Sequence, residues 1–345
     1  MVDVILQGLG HIGKDTARLL LDDPRFCIVG AIDIAPHIQG KDLGEVLGCA
    51  RMGVSVTDDR DTVYSSAPQG SSVLLTTRSR FVDILPDVEA AVKKGFDVVS
   101  PSEELFYPQL RSDHALITEL DALATQHGAR ILGRGVNPGC LMDAYPVARL
   151  KQAGFDYFTT ISISRHDDTR ARRAPLLQKT GTGLTSEQFK ALCDQGKLGH
   201  VGLQESAHYV AERMGIVIDK MEFTRLGVYD SDKDTPVPLN GTAIAEGSSR
   251  GISERCHAEG LMGDHPIQLV LDLNMSVGTP CYNGVRAEGM KDGKQERFEC
   301  DYNDIVNGDI ATARVLKDCL LHVKEGDPGL NRTSYVTDVP RLLAK

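Results

Sequence analysis

Three glycines at positions 8, 10 and 13 constrain this chain more than any other feature of its sequence. Residues 2–7 form a short apolar run of the kind found in a buried parallel strand. Residues 14–21 continue with helical spacing until Asp22-Asp23-Pro24 stops them, and residues 26–33 read as a second strand. Gly8-Leu9-Gly10-His11-Ile12-Gly13 therefore falls at the strand-to-helix turn of a βαβ unit. In that setting Gly8 permits a tight turn and Gly10 lets backbone N–H groups approach a pyrophosphate. Gly13 allows the helix to pack close to the strand, and His11 and Ile12 open the helix whose positive end faces the phosphates. Asp33 lies twenty residues after Gly13, where a carboxylate accepts hydrogen bonds from the adenosine ribose hydroxyls. It would repel a 2'-phosphate, so the expected cofactor is NAD, with NADP less favoured.

The same alternation continues. Strands are expected at residues 73–77, 97–100 and 130–133, and helices at 82–94 and 113–127. Strands separated by helices of this length imply a parallel sheet covered on both faces. After Met142 the rhythm changes. Residues 159–164 alternate as a strand, a glycine-rich loop follows, and helices are expected at 186–194 and 203–214. Strand-like runs then dominate residues 220–298, and a helix returns at 309–321. The reading is an α/β chain: an N-terminal Rossmann domain with a parallel sheet over residues 1–142, then an α+β second domain with a mostly antiparallel sheet over 143–304 for substrate binding and dimerisation. The segment from about 305 to 345 is expected to pack back on the first domain.

Composition narrows the partners. The 345 residues carry a net charge of −10, which argues against nucleic acid and anionic membrane surfaces. No apolar run approaches the roughly 20 residues of a membrane helix, and the first residues lack the basic segment of a signal peptide. A cytoplasmic location is the expectation. The eight cysteines are scattered without a Cys-x-x-Cys pair, which implies reduced, mostly buried thiols and no metal site.

Several motifs fall at the strand ends where open α/β sheets bind ligands. Thr76-Thr77-Arg78 is read as touching the cofactor, with ordinary turn chemistry as the other reading. Ser100-Pro101-Ser102-Glu103-Glu104-Leu105 starts a helix. Ser102 as N-cap with acids in the first turn explains it structurally; a partly desolvated Glu103 or Glu104 acting as general acid/base explains it chemically. Asn137 and Pro138, in the loop Gly133-Arg134-Gly135-Val136-Asn137-Pro138-Gly139, are expected beside the cofactor, where Asn137 orients an amide or carbonyl or else caps the loop. Arg165-His166-Asp167-Asp168 with Arg170, Arg172 and Arg173 is a basic loop in an acidic protein, either a carboxylate-binding element or a solvated, salt-bridged surface. His200, His208 and His257 are isolated, and a structural role is the simpler reading for each.

Together these motifs resemble the family that groups 2,4-diaminopentanoate dehydrogenase with the native NAD(P)H-dependent amine dehydrogenases, itself related to dihydrodipicolinate reductase. The likeness rests on the glycine turn, Ser102-Glu103-Glu104-Leu105 with Tyr107-Pro108, and Gly135-Val136-Asn137-Pro138-Gly139. It continues through Arg165, residues 175–183, Gly199-His200-Val201-Gly202-Leu203, Glu205-Ser206, Gly308-Asp309-Ile310-Ala311-Thr312-Ala313 and Pro328-Gly329-Leu330. The resemblance implies reversible oxidative deamination of a small amine or diamino acid to a ketone and ammonium, with Glu103 or Glu104 managing water and protons. It also implies substrate contacts at Asn137, Met142, Arg165 and His257, and a homodimer. Lys179-Thr180-Gly181-Thr182-Gly183 departs from the signature of dihydrodipicolinate reductase itself. Leu316-Lys317-Asp318-Cys319 stands where an apolar–asparagine pair is expected of relatives. Reduction of a cyclic imine is the alternative chemistry, and a non-catalytic NAD(H)-sensing protein is the alternative of another class.

Overall fold

The computed structural model describes residues 1–111, 113–229, 237–239, 242–303 and 308–331. They divide into two compact units, Met1–Cys140 with the segment from Asp309, and Leu141–Gly308. The first unit runs β1 (Val2–Gln7), α1 (His11–Leu21), β2 (Phe26–Ile32), α2 (Leu43–Leu47), β3 (Val56–Thr57), α3 (Arg60–Ser66), β4 (Ser72–Leu75), α4 (Phe81–Lys93), β5 (Asp97–Ser100), α5 (Glu103–Phe106), α6 (His114–Gln126) and β6 (Arg130–Gly133). All its strands are parallel, in the order β6-β5-β4-β1-β2-β3. The winding direction reverses at β1, so the carboxyl ends of β1 and β4 border the crevice where such sheets bind ligands. Val73, Leu75, Val98 and Ile131 of the sheet pack with Phe81, Ile84 and Val88 of α4 and with Leu120 and Ala124 of α6. Leu74, Val99 and Leu132, at the alternate positions, are buried as well, and burial of both faces is why the strands read as unbroken runs.

Two short helices escape sequence periodicity and are instead set by their caps. Asp42 accepts from the Gly44 N–H at the start of α2, and Asp59 accepts from the Thr62 N–H at the start of α3.

The second unit contains α7 (Ala144–Gln152), β7 (Tyr157–His166), α8 (Asp168–Ala171), α9 (Ala174–Thr180), α10 (Ser186–Asp194), α11 (Leu203–Met214), β8 (Ile216–Val228), β9 (Val237–Leu239), β10 (Thr242–Ile244), β11 (Gly251–Met262), β12 (His265–Ser276), β13 (Tyr282–Lys291) and β14 (Lys294–Asp301). Six of its strands form one sheet, β14-β13-β7-β12-β11-β8, antiparallel throughout except for the parallel β7–β12 pair. Ile161, Ile163, Cys256, Ala258, Leu269, Leu271 and Val285 share its buried face. Ser162, Ser164, Arg255, His257 and Asp272 alternate onto the other. The glycine-rich loop expected after residue 164 is instead partly helical. Asp168 accepts from Arg172 across α8, α9 has proline in its first turn, and Gly181 ends α9 in the left-handed region at φ +67°.

The chain then returns to the first unit as α12 (Gly308–His322) and β15 (Gly329–Leu330), the latter pairing in parallel with β6. Asn331 locks that return. Its Oδ1 accepts from the Gly133 N–H at 2.8 Å, and its Nδ2 donates to the carbonyls of Leu105 and Phe106 at 2.7 and 3.1 Å. Lys317 of α12 pairs with Asp23 at 2.9 Å, so the lysine that replaces the apolar–asparagine pattern is occupied at the end of α1. The expected packing of residues 332–345 lies outside the described residues. All eight cysteines are free, but only Cys140, Cys256 and Cys319 are buried and Cys49 is exposed, which corrects the expectation of mostly buried thiols. Among the described residues no helix is long and apolar enough to cross a membrane, and no group of histidine, cysteine or carboxylate side chains has the arrangement of a metal site.

The Arg25 guanidinium at 2.6 Å, with Lys317 behind it, holds the Asp23 carboxyl well below the usual carboxylate range. A depressed pKa stabilises the fold above the unfolded carboxylate value of about 3.9, and that contribution is lost as pH falls from there toward the lower native value. Asp23→Asn is therefore expected to cost about 1 kcal/mol at pH 7. In urea titrations the gap from the parent should close progressively below about pH 5.

Candidate active site

The glycine turn is built by close approach to β4. Gly8 has φ +99°, and a Cβ there would lie 2.8 Å from the Thr76 carbonyl carbon. A Cβ on Gly13 would lie 2.1 Å from the Gly8 carbonyl oxygen and 2.7 Å from Thr76 Oγ1. Those atoms are so near because Thr76 Oγ1 donates to the Gly8 carbonyl at 2.7 Å while the Thr76 N–H donates to the Gln7 carbonyl at 2.8 Å. A Cβ on Gly10 would meet nothing within 4 Å, so this position opens onto free space rather than protein. Gly10 is the N-cap of α1 and makes no side-chain cap, which leaves the first-turn N–H groups of His11, Ile12 and Gly13 pointing out of the helix end. An anion fits there without rearrangement. The His11 imidazole is exposed, with Nε2 3.5 Å from Asp15 and 3.7 Å from Asp309.

Beside the turn is a cleft of about 660 Å³. Asp33 closes one side, its Oδ2 accepting from the Leu9 N–H at 2.5 Å and its Oδ1 from the Ala35 N–H at 2.8 Å. It is half-buried, so the carboxylate is fixed by backbone while the cleft still reaches it. Asp33, Asp58, Asp59, Asp61, Asp83 and Asp87 line the cleft against Arg60 and Arg78. Arg60 is already paired with Asp87 at 2.8 Å. Thr76, Thr77 and Arg78 line it too, as does Gln7, which the sequence reading did not single out.

Farther along the same sheet edge, Ser100 Oγ at the end of β5 donates to the Leu75 carbonyl at 2.7 Å. Ser102 stands at the N-cap position of α5, yet its hydroxyl does not cap that helix and donates to the Ser79 carbonyl at 2.8 Å. The two glutamates differ sharply. Glu104 Oε2 accepts from the Phe81 N–H at 2.7 Å, capping α4 from outside, and pairs with Arg111 at 2.5 Å. Glu103, the first residue of α5, is half-buried, as Glu104 is.

The loop after β6 is fully buried. Arg134 N–H donates to the Ser100 carbonyl at 2.8 Å, Gly135 N–H to the Pro138 carbonyl at 2.9 Å, and Arg134 lies 5.8 Å over the Phe106 ring. The Asn137–Pro138 peptide is cis. Asn137 is 5% exposed, and its Oδ1 has no hydrogen-bond partner among the described residues. A buried acceptor without a donor is costly.

In the second unit Met142 is fully buried. Arg165 is 2% exposed and committed to protein, donating to Asn283 and to Asp167 at 2.5 Å each. The basic segment therefore contributes an internal ion pair at this residue rather than a solvated charge. His257 pairs across strands with Val270, whose partner is Ser162, whereas Arg165 pairs with Leu273. Strand alternation puts Arg165 and His257 on opposite faces of the sheet, so one chain does not bring these two expected substrate contacts together. Sequence reading also missed Glu254, which is fully buried, ion-paired with Arg225, and accepts from the His200 N–H at 3.1 Å. Burial raises its pKa against the pull of Arg225. Nothing in a period-two strand pattern distinguishes such a residue from a surface glutamate.

Comparison with known proteins adds an independent line. The family profile of the 2,4-diaminopentanoate dehydrogenase C-terminal domain matches residues 147–343, and that of the dihydrodipicolinate reductase N-terminus matches residues 2–101. A 2,4-diaminopentanoate dehydrogenase of Acetoanaerobium sticklandii is 30% identical over 223 residues, covering 62% of this chain and 60% of that protein. An amine dehydrogenase of Streptomyces virginiae is 27% identical over 43% of this chain and 41% of that protein. The chain thus matches less than two thirds of the length of either relative. The solved amine dehydrogenase from Mycobacterium smegmatis has the same fold, with a TM-score of 0.80 over 97% of this chain and 96% of that one at 20% identity.

The crossing of the glycine turn with β4 makes a sharp stability prediction. Gly13→Ala must displace the Gly8 carbonyl, a backbone atom, and is expected to destabilise the protein by about 1–3 kcal/mol. Gly10→Ala, facing open space at an extended φ of −67°, should leave the denaturation midpoint within about 0.5 kcal/mol of the parent.

Proposed function

Because the chain belongs to the family of the 2,4-diaminopentanoate dehydrogenase C-terminal domain, we propose that it is a nicotinamide-nucleotide-dependent oxidoreductase catalysing reversible oxidative deamination of a small amine or diamino acid. The observation that carries this reading is the order of groups along one sheet edge. Asp33 follows β2, the first turn of α1 above the glycine turn has no side-chain cap, and a half-buried carboxylate, Glu103, lies just beyond β5. The likeness to dihydrodipicolinate reductase in the sequence profiles is confined to residues 2–101, the nucleotide half, and so does not favour imine reduction over deamination.

A nicotinamide nucleotide held there would supply the acceptor for the hydride that leaves the carbon bearing the amino group. Water adds to that carbon and ammonium leaves, so amine, water and oxidised cofactor give ketone, ammonium and reduced cofactor. Everything else falls to the protein. First-turn N–H groups of α1 hold the pyrophosphate, and Asp33 takes the ribose hydroxyls. The acidic cleft wall, with Arg60 already paired, disfavours a 2'-phosphate, which supports NAD over NADP. Asn137 offers its buried Oδ1 to an amide or ammonium donor.

Of the two glutamates we assign the proton-handling role to Glu103. Glu104 is spent on the Phe81 N–H and Arg111. Glu103 removes a proton from the attacking water and returns one to the departing nitrogen. The small-molecule partners are therefore an amine or ketone and ammonium, and a homodimer in the cytoplasm remains part of the same proposal by family analogy.

Three variants test the assignment. Glu103→Gln should lower kcat for amine oxidation by about 100-fold or more. Glu104→Gln should lower the melting temperature and retain most of kcat; the reverse pattern exchanges the two roles. Asp33→Ser should weaken NADH about tenfold and narrow the preference over NADPH, read as the ratio of kcat/KM for the two cofactors.

A further inference from the structure

Gln7 ends β1 immediately before the glycine turn and is 5% exposed, yet it lines the cleft. A glutamine buried in a sheet needs partners at both ends of its amide. The oxygen end is satisfied from within: the Tyr64 hydroxyl of α3 donates to Oε1 at 2.6 Å, buried from solvent. Burial raises the Tyr64 pKa, so the phenol stays protonated and a standing donor. Its ring is held in turn by an edge-on contact with Phe96 at 5.5 Å. With Oε1 turned to the protein, Nε2 is the end left for the cleft, and among the described residues nothing accepts from it.

The place in the sheet says which part of a dinucleotide lies there. β1 is flanked by β2, which carries Asp33, and by β4, whereas Glu103 follows β5 and Asn137 follows β6 on the far side of β4. Gln7 therefore sits on the ribose-binding side of the switch point. Resting on the dinucleotide reading above, we propose that Gln7 recognises the adenosine half of the cofactor, donating from Nε2 to an acceptor on the ribose or purine. Tyr64 is the positioning residue that fixes which end of the amide is presented.

Adenosine monophosphate and NADH are the probes, titrated calorimetrically into the full chain. Gln7→Met keeps the length and removes the donor, and should weaken both ligands about tenfold. Tyr64→Phe lets the amide turn over and should weaken adenosine monophosphate about threefold in the parent but not at all in the Gln7→Met background. That non-additivity is what a merely structural tyrosine would not produce. If Gln7→Met binds both ligands as the parent does, or if the two substitutions weaken binding additively, the proposal is overturned while the dinucleotide reading stands. If the parent itself binds neither ligand, both fall together. Should Gln7→Met not fold, parent-like adenosine monophosphate affinity in Tyr64→Phe overturns the proposal.

Discussion

The Gly8 carbonyl oxygen is the atom around which the first unit is arranged. Thr76 Oγ1 donates to it from β4, and Gly13 passes it closely enough that no side chain fits between them. One backbone acceptor thus ties β1, the start of α1 and the end of β4 into a single crossing. The orientation of α1 follows, and with it the direction of the unpaired N–H groups of its first turn. Asp33 joins the same crossing through the Leu9 N–H, so the carboxylate at the end of β2 is aligned by the turn it serves. The first-turn amides of α1 and the Asp33 carboxylate are thus held in fixed relation by the backbone itself.

A second theme is the way polar groups at the sheet edge are divided between structure and chemistry. Ser102 turns away from the helix it was expected to cap and secures the 79 carbonyl instead. Glu104 caps α4 and pairs with Arg111, which ties it to the fold. In the second unit Arg165 and Asp167 satisfy each other in the interior, where an isolated charge would be prohibitive.

The sheet of the first unit was legible in the sequence because unbroken apolar runs, glycine turns and long amphipathic helices all pointed to one winding. The mixed sheet of the second unit was legible as strands, but the parallel β7–β12 pair was not, since pairing direction leaves no mark on a single strand. Short elements such as α2, α3, α8 and α9 went unseen because caps and local contacts, not periodicity, specify them. At the site, the glycine turn carried its meaning in its spacing together with the strand before it, the helix after it and Asp33 beyond. Gln7 and Tyr64 carried none, because residues fifty-seven positions apart become partners only once α3 is laid beside β1. The contrast between Glu103 and Glu104 was equally hidden, since it depends on Phe81 and Arg111.

The late return of β15 has a consequence for how the molecule is made. Asn331 bridges Gly133 and the end of α5, 198 and 226 positions earlier in the chain. During synthesis β6 must therefore wait as a bare sheet edge until the whole of the second unit has left the ribosome. An edge strand left open that long invites pairing with neighbouring chains. Arg130 at the head of β6, anchored on Asp97 of the adjacent strand, places a cation on that edge throughout the wait.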